Sequence, residues 1–117
     1  LTQLCLPIKM KYQDFLGKYP QLKLIGNTPL SKVPIQGVDI SAKIEYFNPG
    51  GSIKDRPVMK MLLEALSSGK ITKDKTVLDS SSGNAGISYA MIGAMLGLDV
   101  EIVVPGNASS ERKKRIL

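Results

Sequence analysis

The stretch KTVLDSSSGNAGISYAMIGAMLGLDVEIVVP, residues 75 to 105, decides the fold because two strand-like segments flank one helix-like segment. Residues 75–79 and 98–105 are short, largely apolar runs next to turn residues, which is typical of strands. Residues 86–97 are apolar on nearly every side, which predicts a buried helix. A strand, a helix and a second strand in this order favour a parallel pair joined by a right-handed crossover.

The same alternation continues upstream of this stretch. ISAKIEYF, residues 40–47, alternates apolar and polar side chains and predicts a further strand. Pro57 suits the first turn of a helix, and Gly69 suits its end. Between them runs a stripe of apolar side chains at helical spacing, formed by Val58, Met61, Leu62, Ala65 and Leu66.

Both ends of the chain carry further helix signals. Residues 11–19 predict a short helix stopped by Pro20. Residues 106–117 predict a last helix with Ser109 or Ser110 as its N-cap. Strand and helix therefore alternate three times, which predicts an α/β fold with a parallel sheet built from βα units.

The formal charge of +6 raises the question of nucleic-acid binding. The lysines are scattered, and the one dense basic run, ERKKR at residues 111–115, is interpreted as a solvated helix face. The aromatic residues are not interleaved with basic ones, as a base-stacking surface requires. No apolar run approaches the ~18 residues that cross a bilayer. We therefore expect no nucleic acid and no membrane as partner, with a basic nucleic-acid binder kept as the minor alternative.

The chain has one cysteine, Cys5, and no histidine. A single cysteine cannot form an internal disulfide, which fits a reducing compartment and predicts a cytoplasmic protein. Without histidine, the Ser-His-Asp and Cys-His arrangements and every histidine-containing metal site are excluded, and no metal site is predicted. Lysine is the remaining candidate nucleophile.

NPGGSIKDRP, residues 48–57, places a lysine at the predicted start of a helix. The N-terminus of a helix carries roughly +0.5 charge, which disfavours a further cation and so favours the free amine of Lys54. A free amine attacks carbonyl groups. Gly50 and Gly51 permit a tight turn, and Ser52 suits a helix cap. The alternative interpretation is a solvated loop lysine beside a glycine turn.

SSSGNAG, residues 80–86, also lies between a predicted strand and a predicted helix. Its small residues leave backbone N–H groups open to a phosphate or carboxylate. Asn84 adds a side-chain amide, and Gly83 and Gly86 allow close approach of a ligand. The alternative is a serine cluster that caps the helix, with a glycine for helix packing. If both loops follow strands of one parallel sheet, they lie at the same edge, where ligands bind.

Four motifs together resemble the cysteine synthase (O-acetylserine sulfhydrylase) family of fold-type II pyridoxal-phosphate enzymes. They occur in the order and spacing of that family, and their joint occurrence is specific where a lone glycine motif is not. The resemblance implies the N-terminal portion of such an enzyme, with pyridoxal 5'-phosphate as cofactor. The motifs are LIGNTPL at 24–30, KIEYFNPGGSIKDRP at 43–57, SSSGNAGISYA at 80–90 and VEIVVPGNASSERKKRIL at 100–117.

The resemblance implies a role for residues in both loops. Lys54 would form the Schiff base with the cofactor and would also take the α-proton of the bound amino acid. Asn84 would hydrogen-bond the ring hydroxyl of the cofactor, which acts as an electron sink. The loop that holds the substrate carboxylate would consist of Ser81, Ser82, Gly83, Asn84 and Ala85.

The implied reaction is a β-replacement, in which an activated serine such as O-acetylserine loses its leaving group and sulfide adds to give cysteine. Ala85 stands where the family usually has a threonine, and a hydrogen bond from that hydroxyl to a charged group would be worth ~1.5–3 kcal/mol. The identity of the donor therefore stays open, with O-phosphoserine as an alternative. A cystathionine synthase, a serine or threonine dehydratase of the same fold, and a noncatalytic fragment stay open as well.

The resemblance also implies a longer chain and specific partners. A parallel sheet usually has several strands and helices on both faces. We therefore expect residues 1–19 to be an N-terminal extension or leading helix, and residues 20–117 to be an incomplete N-terminal α/β domain of a larger enzyme, inactive alone. The intact enzyme would bind a small amino-acid substrate, form a homodimer and pair with a serine acetyltransferase.

Overall fold

The computed structural model describes residues 10–117, which fold into helices and short strands. Cys5 and the first part of the predicted N-terminal extension lie outside the described residues. The elements are, in chain order, α1 Tyr12–Lys18, a 3-10 helix Pro20–Leu24, β1 Leu30–Val33, β2 Ile40–Lys43, a 3-10 helix Glu45–Phe47, α2 Asp55–Ser67, β3 Val77–Ser80, α3 Asn84–Leu96, β4 Val100–Val103 and α4 Ser110–Ile116.

β3 and β4 form the parallel pair that residues 75–105 predict, with Val77 opposite Val100. α3 makes the connection between the two strands and buries many of its residues, as its apolar sequence predicts. Gly93 lets α3 approach β4 closely, because a β-carbon at this position would overlap the side chain of Val100. The predicted α/β fold class, with a small parallel sheet, is confirmed.

The prediction of a parallel strand over residues 40–47 is wrong in its length and in its partner. β2 ends at Lys43 and pairs with β1, antiparallel. The chain then turns into a 3-10 helix, because the backbone N–H and the side-chain amide of Asn48 both donate to the Glu45 carbonyl oxygen, at 3.2 and 2.9 Å. Residues 10–117 therefore contain two separate two-stranded sheets, one antiparallel and one parallel.

α2 and α3 pack against each other and supply much of the apolar core. The helix predicted after Pro57 is confirmed, but Met61 on its predicted buried stripe is 49% exposed. Val58 and Leu62 of that stripe are buried as predicted, and the buried face also includes Asp55, Met59 and Leu63. The core consists of Phe15, Leu22, Ile25, Val58, Met59, Leu62, Leu63, Tyr89, Ile92 and Leu96.

α1 and α4 confirm the helices predicted near the two ends of the chain. Phe15 of α1 is buried in the core. The expected boundary between an N-terminal extension or leading helix, residues 1–19, and the α/β domain, residues 20–117, stays a prediction. α4 begins after Ser109, whose hydroxyl accepts a hydrogen bond from the Arg112 backbone N–H at 3.4 Å. Across residues 10–117, none of these helices combines the length and the apolar character that crossing a membrane requires.

Candidate functional site

The lysine turn, residues 48–54, leads directly into α2. Gly51 has φ +82°, a conformation that favours glycine, and its N–H donates to the Asn48 carbonyl oxygen at 2.8 Å. The Ser52 hydroxyl accepts a hydrogen bond from the Lys54 backbone N–H at 3.1 Å. Lys54 is the N-cap residue of α2 and its side chain is exposed. Its amine is therefore accessible to a ligand at the start of the helix.

Asn48 anchors the beginning of the lysine turn and is 3% exposed. Its side-chain oxygen accepts a hydrogen bond from the Gly26 backbone N–H at 2.8 Å. Its amide nitrogen donates to Glu45 Oε2, also at 2.8 Å. Because a buried amide needs partners for both ends, these contacts fix the turn against the loop that contains Gly26.

Glu45 and Arg56 form a two-pronged ion pair beside the lysine turn. Arg56 Nε donates to Glu45 Oε2 at 2.8 Å and Arg56 Nη2 donates to Oε1 at 2.9 Å. The Thr28 hydroxyl donates to Oε1 at 2.7 Å. The hydrogen bonds from Arg56, and after them the one from Thr28, lower the pKa of Glu45 to about 2. The same pairing raises the pKa of Arg56, and it anchors the first turn of α2 two residues after Lys54.

Asp55 is fully buried at the first position of α2. Its Oδ2 accepts a hydrogen bond from the Gly50 backbone N–H at 2.6 Å, and its Oδ1 accepts one from the Ser88 hydroxyl of α3 at 2.5 Å. Gly50 has no room for a side chain, because a β-carbon would lie 2.8 Å from Asp55 Cγ. The sequence places an acid at this helix start but carries no signal that it is buried. Neither Asp55 nor Ser88 was therefore predicted from the sequence as a residue of the site.

The serine loop, residues 80–86, begins at the last residue of β3 and leads into α3. Ser81 Oγ accepts hydrogen bonds from the backbone N–H groups of Gly83 and Gly86, at 3.3 and 2.9 Å. Gly86 packs tightly, since a β-carbon there would lie 3.3 Å from Ile102 Cγ2. Ser81 and Gly86 therefore have the capping and packing roles that form the alternative interpretation of this loop.

The other predicted residues of the serine loop surround the start of α3. Gly83 is the N-cap residue of α3, and its neighbours Asn84 and Ala85 begin the helix. Ser82 and Asn84 are exposed, whereas Gly83 and Ala85 are half-buried. The two exposed polar side chains lie beside backbone N–H groups that the helix itself does not use, which is the arrangement that binds anions.

Two arginines of α4 reach back to the two loops. Arg115 Nη2 donates to the Gly50 carbonyl oxygen at 3.0 Å, and Arg112 Nη1 donates to the Ser82 carbonyl oxygen at 3.4 Å. Both arginines are exposed, as the interpretation of residues 111–115 as a solvated face expects, but they also make loop contacts that this interpretation did not include. Their partners lie 65 and 30 residues earlier in the chain, so the local sequence carries no sign of the contacts.

An open cleft of about 740 Å³ lies between the serine loop and α4. Lys54 is not among the residues that line it. The expectation that both loops follow strands of one parallel sheet is also wrong, since a 3-10 helix precedes the lysine turn. The two loops are joined instead through Asp55 and Ser88. The cleft is lined by Ser82, Asn84, Ile87, Asn107, Ala108, Ser109, Glu111, Arg112 and Arg115.

The fold and the site define an α/β protein that presents a lysine amine and a helix start with open backbone N–H groups on two adjoining helices. Residues 22–117 match the family model described as "Pyridoxal-phosphate dependent enzyme", and the chain belongs to this family. The chemical groups on the two helices fit the cofactor of that family. A lysine amine can react with its aldehyde, and open backbone N–H groups can bind anionic groups.

Curated relatives include two kinds of enzyme. The chain is 53% identical over 102 residues to a cysteine synthase of Aquifex aeolicus, covering 81% of this chain and 31% of that protein. It is 44% identical over 103 residues to a cystathionine beta-synthase of Saccharomyces cerevisiae, covering 82% of this chain and 20% of that protein. The chain thus spans about a third or less of the length of these relatives.

Solved structures show the same likeness in three dimensions. A hydrogen sulfide-producing enzyme from Fusobacterium nucleatum matches with a TM-score of 0.78 and 43% identity, covering 82% of this chain and 33% of that one. An O-acetylserine dependent cystathionine beta-synthase from Helicobacter pylori matches with a TM-score of 0.75 and 35% identity, with the same coverage. The identification as a fold-type II pyridoxal-phosphate enzyme is confirmed.

Proposed function

We propose that the chain supplies the reactive lysine and the carboxylate-binding loop of an enzyme that makes cysteine from an activated serine, such as O-acetylserine, and sulfide. One observation carries the proposal: the exposed Lys54 amine and the start of α3 belong to two helices that Asp55 and Ser88 join by a hydrogen bond of 2.5 Å. Similarity to cysteine synthases at up to 53% identity supports the choice of reaction.

Lys54 would hold the cofactor through its amine and would carry the proton taken from the α-carbon of the amino acid. The cofactor, when bound, supplies an electron sink for the charge that develops at that carbon. The Lys54 amine suits the proton transfer because it is exposed and sits on a helix start anchored by the neighbouring Arg56. Asn84 would hydrogen-bond the ring hydroxyl of the cofactor.

The serine loop would hold the carboxylate of the amino acid. Backbone N–H groups at the start of α3 and the hydroxyls of Ser81 and Ser82 are available donors, and the Ser81 oxygen also accepts two hydrogen bonds within the loop. Ala85 contributes no hydroxyl, which removes a donor worth ~1.5–3 kcal/mol toward a charged group. We therefore propose Ser81, Ser82, Gly83, Asn84 and Ala85 as the carboxylate loop, with backbone groups as its main donors.

Cystathionine formation is the second candidate reaction. The yeast and Helicobacter pylori enzymes that resemble this chain are cystathionine beta-synthases, at 44% and 35% identity. Both reactions replace a substituent on the β-carbon of a serine derivative and differ in the thiol that adds. A dehydratase of the same fold would instead release an oxo acid and need no thiol.

Reductive trapping tests the role of Lys54. The protein expressed from its own gene is incubated with pyridoxal phosphate, reduced with borohydride and mapped by peptide mass. Label concentrated at Lys54 supports the proposal, and Lys60→Ala, a change at an exposed lysine of the same helix, should leave this label intact. Label spread evenly over the lysines, or absent, would leave a noncatalytic protein as the better account.

Product analysis then separates the candidate reactions. The loaded protein is given O-acetylserine alone, with sulfide, and with homocysteine. Cysteine as the main product supports the proposed function, cystathionine supports the second candidate, and oxo acid without a thiol supports a dehydratase. We further propose a cytoplasmic homodimer, with serine acetyltransferase as its candidate partner, on the strength of the family resemblance; light scattering with and without that protein tests the assembly.

A further inference from the structure

Asp55 is a fully buried acidic side chain, and within residues 10–117 it takes part in no ion pair. Removing a carboxylate from water costs free energy unless hydrogen bonds and favourable dipoles replace the lost water. Asp55 has two hydrogen-bond donors at 2.5 and 2.6 Å and the N-terminus of α2. Because burying the Asp55 carboxylate costs free energy, the groups that its two hydrogen bonds connect indicate what the side chain does.

The two oxygens of Asp55 contact two different parts of the site. Oδ2 holds the Gly50 backbone N–H in the middle of the lysine turn. Oδ1 holds the hydroxyl of Ser88, whose oxygen also lies 3.0 Å from the Asn84 carbonyl oxygen at the start of α3. A continuous set of polar contacts therefore runs from the lysine turn to the serine loop.

Asp55 directly follows Lys54, so the backbone position of the lysine depends on where the Asp55 side chain is held. Apart from the hydrogen bond between Asp55 and Ser88, the described side chains of α2 and α3 share one long contact, from the Tyr89 hydroxyl to the Met61 sulfur at 4.0 Å. If the contact with Ser88 is lost, that long contact is the only hydrogen bond among the described residues that opposes a shift of α2 relative to α3. The apolar packing of α2 on α3 remains, but the distance between the amine and the carboxylate loop is then set less tightly, and misplaced groups react more slowly.

We propose that Asp55 and Ser88 are positioning residues, and that their hydrogen bond sets the geometry of the Lys54 amine relative to the serine loop. The inference rests on the proposed function, because the position of Lys54 relative to the serine loop affects catalysis only if both act as proposed. The hydrogen bond itself can be tested without cofactor or substrate.

Hydrogen exchange of the cofactor-free protein gives the first readout. Ser88→Ala removes the donor to Asp55, and we expect the Gly50 amide to exchange at least about tenfold faster, as loss of a hydrogen bond to a charged group allows. Ser67→Ala is the matched control: Ser67 also donates to the carbonyl oxygen four residues earlier, that of Leu63, at 2.7 Å, but it joins no second helix. The control should leave the exchange of Gly50 unchanged.

Selective labelling gives the second readout. With limiting pyridoxal phosphate and borohydride, the label at Lys54 is divided by the label at Lys60, an exposed lysine on the same helix. We expect this ratio to fall at least about fivefold in Ser88→Ala, because misorientation lowers the rate at one site only. Unfolding would also drive this ratio toward one, so the ratio is read on variant protein whose far-UV circular dichroism matches that of the wild type.

The outcomes separate the two proposals. Wild-type protein without selective label at Lys54 overturns the proposed function, while the exchange of Gly50 still decides whether the hydrogen bond holds the turn. Selective wild-type label with unchanged Gly50 exchange and an unchanged ratio in Ser88→Ala overturns the positioning role. If Ser88→Ala does not fold, Asp55→Asn decides by the same two readouts, since it keeps the shape of the side chain but replaces one acceptor oxygen by an N–H donor, so that the contacts with Gly50 and Ser88 cannot both persist as they are.

Discussion

Lys54 is followed by two side chains that anchor it, Asp55 and Arg56. The place of the lysine at a helix start was predicted from the glycine turn before it and Pro57 after it, because both signals are local. The burial of Asp55 was not, since acids at helix starts usually stay at the surface and its partner Ser88 lies 33 residues away. The partner of Arg56, Glu45, lies in a segment expected to be a strand.

The Glu45 carboxylate should make stability depend on pH in the acid range. Its pKa in the folded protein is about 2, below the ordinary 4.5, so its contribution is complete above pH 4.5 and is lost as the pH falls toward 2. We expect the Tm of the wild type to fall more steeply from pH 5 to pH 2 than that of Glu45→Gln. Thermal unfolding followed by circular dichroism measures this difference.

Glu64→Gln is the control for this pH dependence. Glu64 lies 3.7 Å from Lys60 on the exposed surface of α2, where an ion pair contributes little. Its variant should follow the pH profile of the wild type. Parallel profiles for the wild type and Glu45→Gln would contradict the assignment of the acid sensitivity to Glu45.

The elements most clearly predicted were α3 and the two strands that flank it. The apolar run of α3 needs burial on several sides, and α2, α4 and β4 beside it provide part of that cover. The antiparallel pairing of β2 was not predicted, because four residues of alternating pattern suit a strand of either direction. The role of α4 was also missed, since two of its arginines contact loops far away in the chain.

Two glycine-to-alanine changes in helices should have opposite effects on stability. Gly93→Ala places a β-carbon against Val100 and should lower the free energy of unfolding by ~1–3 kcal/mol, as overpacking does. Gly17→Ala in α1 meets no atom within 4 Å and should raise it by ~0.4–1 kcal/mol through the unfolded state. Urea unfolding measures both values, and a Gly93→Ala variant as stable as the wild type or more stable would contradict the close approach of α3 to β4.

Arg115→Ala should loosen the lysine turn while the rest of α2 stays ordered. The change removes the hydrogen bond of 3.0 Å to the Gly50 carbonyl oxygen. We expect lower backbone order parameters by NMR at Gly50 and Gly51, with Leu62 in α2 unchanged. Lys114→Ala, the loss of an exposed neighbouring cation, should have no such effect; equal loosening in both variants would show that the charge of α4, and not this contact, orders the turn.

At the scale of the whole molecule, residues 10–117 leave one face of the parallel pair uncovered. Leu78 and Val103 on this face are 65% and 54% exposed, whereas Val77 and Ile102 on the opposite face are partly buried against the core. Parallel sheets are normally covered on both faces. Leu78 and Val103 share this face with the polar residues Ser80 and Glu101, and the two exposed apolar side chains should let the 117-residue chain bind hydrophobic dyes.

Replacing the two apolar side chains tests this property. The double variant Leu78→Thr with Val103→Thr should lower the fluorescence of bound 8-anilinonaphthalene-1-sulfonate at least about twofold, because threonine keeps the strand and reduces the apolar surface. Leu117→Thr removes an exposed apolar side chain that lies away from the sheet and serves as the control. An equal loss in the control would show that the dye does not report on this face.

Local sequence alone determined the α-helices, the parallel pair and the two small-residue loops, because the hydrophobic periodicity, glycines and caps that specify them lie within each segment. It also placed Lys54 at a helix start. The tertiary structure decided how the loops are connected: Asp55 with Ser88, Glu45 with Arg56 and Arg115 with Gly50. These contacts join residues 11 to 65 positions apart, and only the packing of one helix against another brings their polar atoms within hydrogen-bond distance.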